Sequence, residues 1–340
     1  MNSTQEMETD YPDYYYNNNQ DSIADPVTPS LTDRDSSYIY LAIINVIVFI
    51  LGVAGNGLVI WIAGFKLRKS VNTTLYLSLA VSDFLFCSFL PFGVVKLVKD
   101  DWIFGLHMCK FTSFVMFLNM FSSIFLLVII SVDRCVVVMF PVWAQNKRSV
   151  KKASVIVVLA WIISAVCGSP SVFIREVTFL QEKNVCYNNY PEGSQSVIVS
   201  FRFIVGFLVP FLIIISCYLF IILKLKINQS ANSKKPFKIM TALIVTFFIC
   251  WLPFHIFALM ELNNYKNKSI LQTGQVLGAI FATANSCMNP FLYAFMGKDF
   301  KRKCSAIISK IENAIEDEGR STIRATSITT SGEKRHSTAV

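Results

Sequence analysis

One carboxylate, Asp83, stands in a run of otherwise uncharged residues from Thr73 to Val95. Asn56, Asn119, Ser123, Asn285, Ser286 and Asn289 occupy comparable depths in three other apolar runs. Such a set can form a polar, hydrated cluster around a single negative charge, since a charge at mid-membrane needs partners. The plainer reading is polar glue between helices, and a glue residue can also hold an ion. Asp133 and Arg134 close the uncharged stretch Phe111–Val132. An arginine there can stay with its neighbour or swing to another partner, a contact with two positions. A fixed interfacial ion pair is the plain alternative. Arg202 lies about two turns before Pro210. A guanidinium so placed can grip a carboxylate through two parallel bonds, or it can snorkel at a membrane edge. None of this is catalysis. Three scattered histidines and buried cysteines supply no metal or nucleophile cluster, so an enzyme is not expected.

These residues need elements to hold them, and the composition says which. Of 340 residues, 54% are hydrophobic and 16% charged, where soluble proteins carry about 25% charged. Seven runs reach membrane-crossing length: Tyr38–Phe65, Thr73–Val95, Phe111–Val132, Ala153–Ile174, Phe203–Leu223, Ile239–Met260 and Ser269–Gly297. Only Asp83 and His255 within them can ionise near neutral pH or below. The expected fold is an all-α membrane protein, a seven-transmembrane helix bundle over residues 38–297. Lysines and arginines gather at 66–69, 147–152, 224–238 and 298–303. All lie on one side if the runs alternate, and that side should be cytoplasmic. The net charge of +9 is mostly this bias, and no nucleic-acid partner is expected. Residues 1–37, with eight acids against Arg34 alone, are then extracellular, and the C-terminus is cytoplasmic. The expected place is the cell membrane, multi-pass. No cleavable signal precedes the first run, which is expected to serve as the targeting signal. Of nine cysteines, only Cys109 and Cys186 fall at the extracellular face, which permits one disulfide.

The flanks carry weaker signals. Residues 1–37 are expected to be disordered when free. Asn2-Ser3-Thr4 is a glycosylation acceptor. The tyrosines of Asp10–Tyr16 are sulfation candidates or part of a merely solvating tail. Asn72-Thr73-Thr74 and Asn228-Gln229-Ser230 face the cytoplasm and should be unmodified. Pro253, inside Cys250–His255, removes a backbone bond and makes a pivot; Pro290 interrupts the seventh run. Over 298–312, Phe300, Cys304, Ile307, Ile308 and Ile311 recur at a helical period. An amphipathic helix lying on membrane lipid is expected there, with Cys304 open to palmitoylation. Residues 313–340 form a Ser/Thr-rich tail. Its end, Ser337-Thr338-Ala339-Val340, could add as a strand to a PDZ-domain groove.

Taken in order, several motifs resemble the rhodopsin-like (class A) G-protein-coupled receptors over about residues 38–310. They are Gly55-Asn56, Leu79-Ala80-Val81-Ser82-Asp83, the Cys109/Cys186 pair, Asp133-Arg134-Cys135, Trp161, Pro210 with Tyr218, Cys250-Trp251-Leu252-Pro253 and Asn289-Pro290-Phe291-Leu292-Tyr293. Cys135 stands where tyrosine is commonest, as it does in chemoattractant receptors. The runs Pro141–Asn146, Lys234–Ile239 and Ala284–Pro290 look most like the chemerin receptors of that branch. Formyl-peptide-like and anaphylatoxin-like receptors are the alternatives, and Asn289 mildly favours chemerin, because the formyl-peptide branch commonly has Asp there.

The resemblance implies roles. Cys109 and Cys186 would bond, holding the second extracellular loop over the third span. Asp83, Asn119, Ser123, Asn285, Ser286 and Asn289 would bind sodium at rest; no other cofactor is implied. Asp133, Arg134, Tyr218, Trp251, Pro253, Pro290 and Tyr293 would form the activation switch, opening a pocket for a heterotrimeric G protein of the inhibitory class. Phosphorylated tail residues would recruit arrestin. The ligand would be a peptide or small protein, chemerin-like, whose C-terminal end enters the bundle. Arg202 would meet its carboxylate, and Met116, Phe117, Trp251, Phe254 and Phe281 its apolar side chains. Glu261 and the acidic tail would meet basic parts of a larger ligand. The rival classes lack their residues. A retinal pigment needs a lysine in Ser269–Gly297, and an amine receptor needs an acid in Phe111–Val132. A transporter or channel should show internal repeats or charged pathway residues, and neither is present.

Overall fold

The computed structural model describes residues 31–180, 182–227, 234–262 and 268–296. Asn2, Cys304, the segment 298–312, the tail 313–340 and the side chain of Tyr293 lie outside what it describes. The chain through Leu292 is one compact unit and Tyr293 onward a second. The long helices are α1 (Leu31–Trp61), α2 (Val71–Lys99), α3 (Gly105–Met139), α5 (Val150–Gly168), α8 (Val209–Ile227), α9 (Lys234–Leu262) and α10 (Lys268–Met296). Short helices α4 (Pro141–Lys147), α6 (Pro170–Ile174) and α7 (Ser194–Phe203) join them, with strands β1 (Arg175–Leu180) and β2 (Lys183–Asn188). Among the described residues six helical spans are long and apolar enough to cross a membrane, and α10 makes the seventh long helix, with 29 residues. The fold is a seven-helix membrane bundle.

The helices outrun the apolar sequence. α1 starts at Leu31, inside the acidic tail. α3 runs 35 residues, about 52 Å. It is the axis of the bundle: 72% of its most apolar window is buried, against 22–39% in the other five spans. α5 instead turns Val155, Val158, Leu159, Ile162, Ile163 and Val166 outward, a face fit for lipid. Ser70 caps α2 and Ser149 caps α5, each accepting a backbone N–H three residues on. The Trp161 indole donates to Ser78 Oγ at 2.8 Å, tying α5 to α2. At Pro210 a π-turn, Ile204–Leu208, joins α7 to α8, because a proline can neither donate to residue 206 nor clear its carbonyl. Arg202 thus sits within one long fifth span, Ser194–Lys224, rather than ahead of it.

One element is absent from the sequence reading. The connection after α6 is not an irregular loop but a β-hairpin, β1 antiparallel to β2, with Arg175 opposite Asn188 and Leu180 opposite Lys183. Glu182 takes a left-handed φ of 64° at its turn. Cys109 and Cys186 are joined, so the disulfide pins β2 to the start of α3. Trp102 packs with both cysteines, Phe92, Phe104 and Val177 around them. The Trp102 backbone N–H donates to the Asn184 carbonyl at 2.9 Å, and Asp101 accepts from the Asn184 N–H at 2.8 Å. Lys183 pairs with Asp100. The hairpin is therefore held by covalent, apolar and polar contacts together.

Candidate functional site

The polar residues of four apolar runs meet at Asp83. Its side chain is fully buried. Asn119 Nδ2 on α3 donates to Asp83 Oδ1 at 3.0 Å, and Asn289 Nδ2 on α10 donates to Oδ2 at 2.6 Å. Ser286 Oγ donates to Asn119 Oδ1 at 3.1 Å, and Asn56 Nδ2 on α1 donates to the Ser286 carbonyl at 2.8 Å. Ser82 and Ser122 share a 2.5 Å hydrogen bond beside them. Asn285 is buried as well. Gly55 permits the α1–α10 approach, since a Cβ there would meet the Pro290 ring at 3.0 Å. Two buried oxygens, Asn56 Oδ1 and Ser123 Oγ, have no hydrogen-bond partner among the described residues. Ser123 follows Asn119 by one helical turn and so lies on the same face of α3. A carboxylate, an orphaned hydroxyl and amide oxygens are the donor set of a hard, oxygen-seeking cation, and these residues fit one.

Toward the disulfide, a ring cluster forms between α3, α7 and α9. The Arg202 guanidinium carbon lies 3.7 Å from the centre of the Phe117 ring, a cation–π contact. Only 8% of Arg202 is exposed. A snorkelling arginine would carry its charge out to water; this one is turned into the bundle. Phe254 is 6.4 Å from Phe117 and 5.6 Å from Trp251, ring centre to ring centre. His255 lies 5.9 Å from Phe203 and 6.4 Å from Trp251. Trp251 Nε1 and His255 Nε2 are both buried and have no hydrogen-bond partner among the described residues. Buried polar atoms are normally satisfied by protein, water or ligand, and no described residue satisfies these two nitrogens.

The structure sorts the other sequence candidates. Met116 packs against the Phe86–Cys87–Val115 cluster between α2 and α3, to one side of Phe117. Phe281 is 43% exposed and makes no ring contact among the described residues. Glu261 accepts from Gln275 Nε2 at 3.0 Å, which links α9 to α10. Pro253 lies inside α9 and Pro290 inside α10. At Gly278, a Cβ would meet the Phe254 backbone at 2.9 Å, so α10 lies close against the Pro253 turn. Two residues near this ring cluster carry no sequence signal of their place. His255 is legible in the sequence only as an ionisable group. Arg175, the first residue of β1, donates to Ser113 Oγ on α3 at 3.0 Å, one turn from Phe117; nothing in its local sequence tells it from an ordinary loop charge.

At the other end of α3, Arg134 bonds to its neighbour Asp133 and to Asn72 Oδ1 on α2. Arg148, just after α4, completes the cluster. It donates to Asp133 at 2.6 and 2.9 Å and to Asn72 Oδ1 at 2.6 Å. Tyr218 stands apart, accepting from Thr241 Oγ1 at 3.1 Å between α8 and α9. Arg134 thus lies with its neighbour Asp133, an arrangement shared by a fixed ion pair and by the first of two positions.

A family model described as "7 transmembrane receptor (rhodopsin family)" matches residues 55–293. Chemerin-like receptor 1 of Homo sapiens is 43% identical over 334 residues, covering 92% of this chain and 88% of the relative. The C3a anaphylatoxin chemotactic receptor of Oncorhynchus mykiss is 38% identical, covering 77% and 75%. Formyl peptide receptor-related sequence 6 of Mus musculus is 36% identical, covering 82% and 88%.

Proposed function

Because the chain belongs to the rhodopsin family of seven-transmembrane receptors, we propose that it detects a chemerin-like peptide or small protein and signals through an inhibitory Gα and arrestin. It is a class A G-protein-coupled receptor of the chemoattractant type and not an enzyme. The observation that carries the ligand reading is Arg202, buried over Phe117 beside the orphaned Trp251 and His255 nitrogens. A carboxylate at the end of a peptide supplies the anion for Arg202, and its last side chains supply the apolar contacts for Phe117 and Phe254. The acidic residues 1–37 would draw basic parts of the ligand and raise its effective concentration at the pocket. The basic connections orient the Arg134 end to the cytoplasm. A binding panel on the purified receptor tests the assignment, using C-terminal peptides of chemerin and C3a and a formyl peptide. The chemerin peptide is expected to bind at least tenfold tighter than the other two; a formyl peptide in first place would move the chain to that branch.

In the resting state Asp83, with Ser123 Oγ and Asn119 Oδ1 as further oxygens, would hold sodium, which would supply a positive charge against the buried carboxylate. Asn289 and Asn119 steer the two carboxylate oxygens. Replacing potassium by sodium in the assay buffer is expected to weaken agonist affinity several-fold, and Asp83→Asn to abolish that difference. Agonist affinity indifferent to sodium in the unmodified receptor would remove the ion from the account.

A further inference from the structure

A cavity of about 320 Å³ opens among α2, α3, α4 and α5 at the Arg134 end of the bundle. Leu75, Val128, Ile129, Val132, Trp143 and Ile156 form its apolar walls. Trp143 and Ile156 are 57% and 45% exposed, so the mouth faces outward, not into the helix bundle. Three cations line it, Lys147, Arg148 and Lys152, against one carboxylate, Asp133. That carboxylate is already shared between Arg134 and Arg148. Lys152 gives one ammonium hydrogen to the Lys147 carbonyl at 3.1 Å, and an ammonium has three to give. Neither Lys147 nor Lys152 forms an ion pair among the described residues. An apolar slot thus opens beside two cations that form no ion pair among the described residues.

We propose that this cavity seats one acyl chain of an anionic phospholipid of the inner leaflet, with the headgroup phosphate between Lys147 and Lys152. The leaflet assignment rests on the receptor reading above; the cavity and its charges do not. Lipid tails are as apolar as the cavity walls, so chain burial alone gives little preference for the site. Selectivity comes from the headgroup, because lysines near a membrane surface attract anionic lipid. Zwitterionic lipid has no net charge to offer the two lysines and should be excluded in competition.

The full chain, in phosphatidylcholine nanodiscs, would be exposed to trace phosphatidylserine bearing a photoreactive acyl chain, and the labelled peptides mapped by mass spectrometry. Labelling is expected to concentrate on Val128–Val132, Trp143 and Ile156. Lys147→Gln with Lys152→Gln should cut it at least fivefold there and leave labelling of the exposed Ile43, Ile47 and Ile50 unchanged. Ile156→Trp, which fills the mouth, should cut it with both lysines intact. Equal labelling by a phosphatidylcholine probe, or no loss in the double variant, would reduce the cavity to an ordinary part of the lipid belt. Competition by chain-free glycerophosphoserine as effective as by the whole lipid would make it an anion site and overturn the proposal. Agonist binding, measured on the same samples, separates the two readings. A wrong receptor assignment leaves the labelling pattern standing, and a wrong lipid site leaves agonist binding intact.

Discussion

Arg202→Ala is expected to weaken a free-acid peptide agonist about 100-fold and its C-terminal amide no more than about fivefold. Truncating one partner of a buried, hydrogen-bonded charge pair costs about 2–5 kcal/mol, and each 1.4 kcal/mol is tenfold in affinity. Arg202 meets the condition of burial, since only 8% of it is exposed and its guanidinium lies over Phe117. The amide keeps the carbonyl but loses the charge, so the receptor itself should already prefer the acid. Removing the arginine should erase that preference. Radioligand competition with both peptides on Arg202→Ala and the parent receptor reads all four affinities. Equal losses for acid and amide would mean that Arg202 supports the pocket through Phe117 and does not read the terminal carboxylate.

Asp133→Asn is expected to raise agonist-independent nucleotide exchange on the G protein about tenfold. Asp133 accepts from Arg134 and from Nε and Nη2 along one edge of the Arg148 guanidinium. Its side chain is 16% exposed, so water screens these bonds only in part. Hydrogen bonds to charged groups contribute about 1.5–3 kcal/mol each, and a tenfold shift in population needs only about 1.4 kcal/mol. Arg148→Gln removes one of the two guanidiniums and leaves Arg134 paired, so a smaller rise is expected. Basal exchange unchanged in Asp133→Asn would show that the ion pair does not hold the resting state. A larger rise in Arg148→Gln than in Asp133→Asn would move the restraint to Asn72.

What the sequence disclosed follows from how expensive a polar group is inside a membrane. Asp83 and its asparagines and serines were legible because nothing apolar excuses them at that depth, and the structure brings Asp83, Asn119, Ser286 and Asn289 into one hydrogen-bonded cluster. Cys109 and Cys186 were legible because topology left them no other partner. Arg148 was not, because at a membrane edge any arginine satisfies the charge bias that orients the chain, and residues 133 and 148 share no periodicity. Asn72 was visible only as a glycosylation acceptor on the wrong side, whereas it takes hydrogen bonds from two arginines. The β-hairpin escaped because its strands are six residues each and carry charged residues; its alternation at Val177 and Phe179 was too short to read. His255 hid among aromatic neighbours, since only packing reveals that its Nε2 lacks a partner.

The central claim is that a peptide bound over Trp251 drives exchange on an inhibitory Gα through Arg134. It is tested most directly by nucleotide exchange in a reconstituted system of purified receptor and inhibitory heterotrimer, with the C-terminal peptide of chemerin as agonist. The peptide is expected to accelerate exchange at least tenfold on the parent receptor, and Arg134→Ala to abolish the acceleration while still binding the peptide. Acceleration confined to a stimulatory heterotrimer, or undiminished in Arg134→Ala, would contradict it.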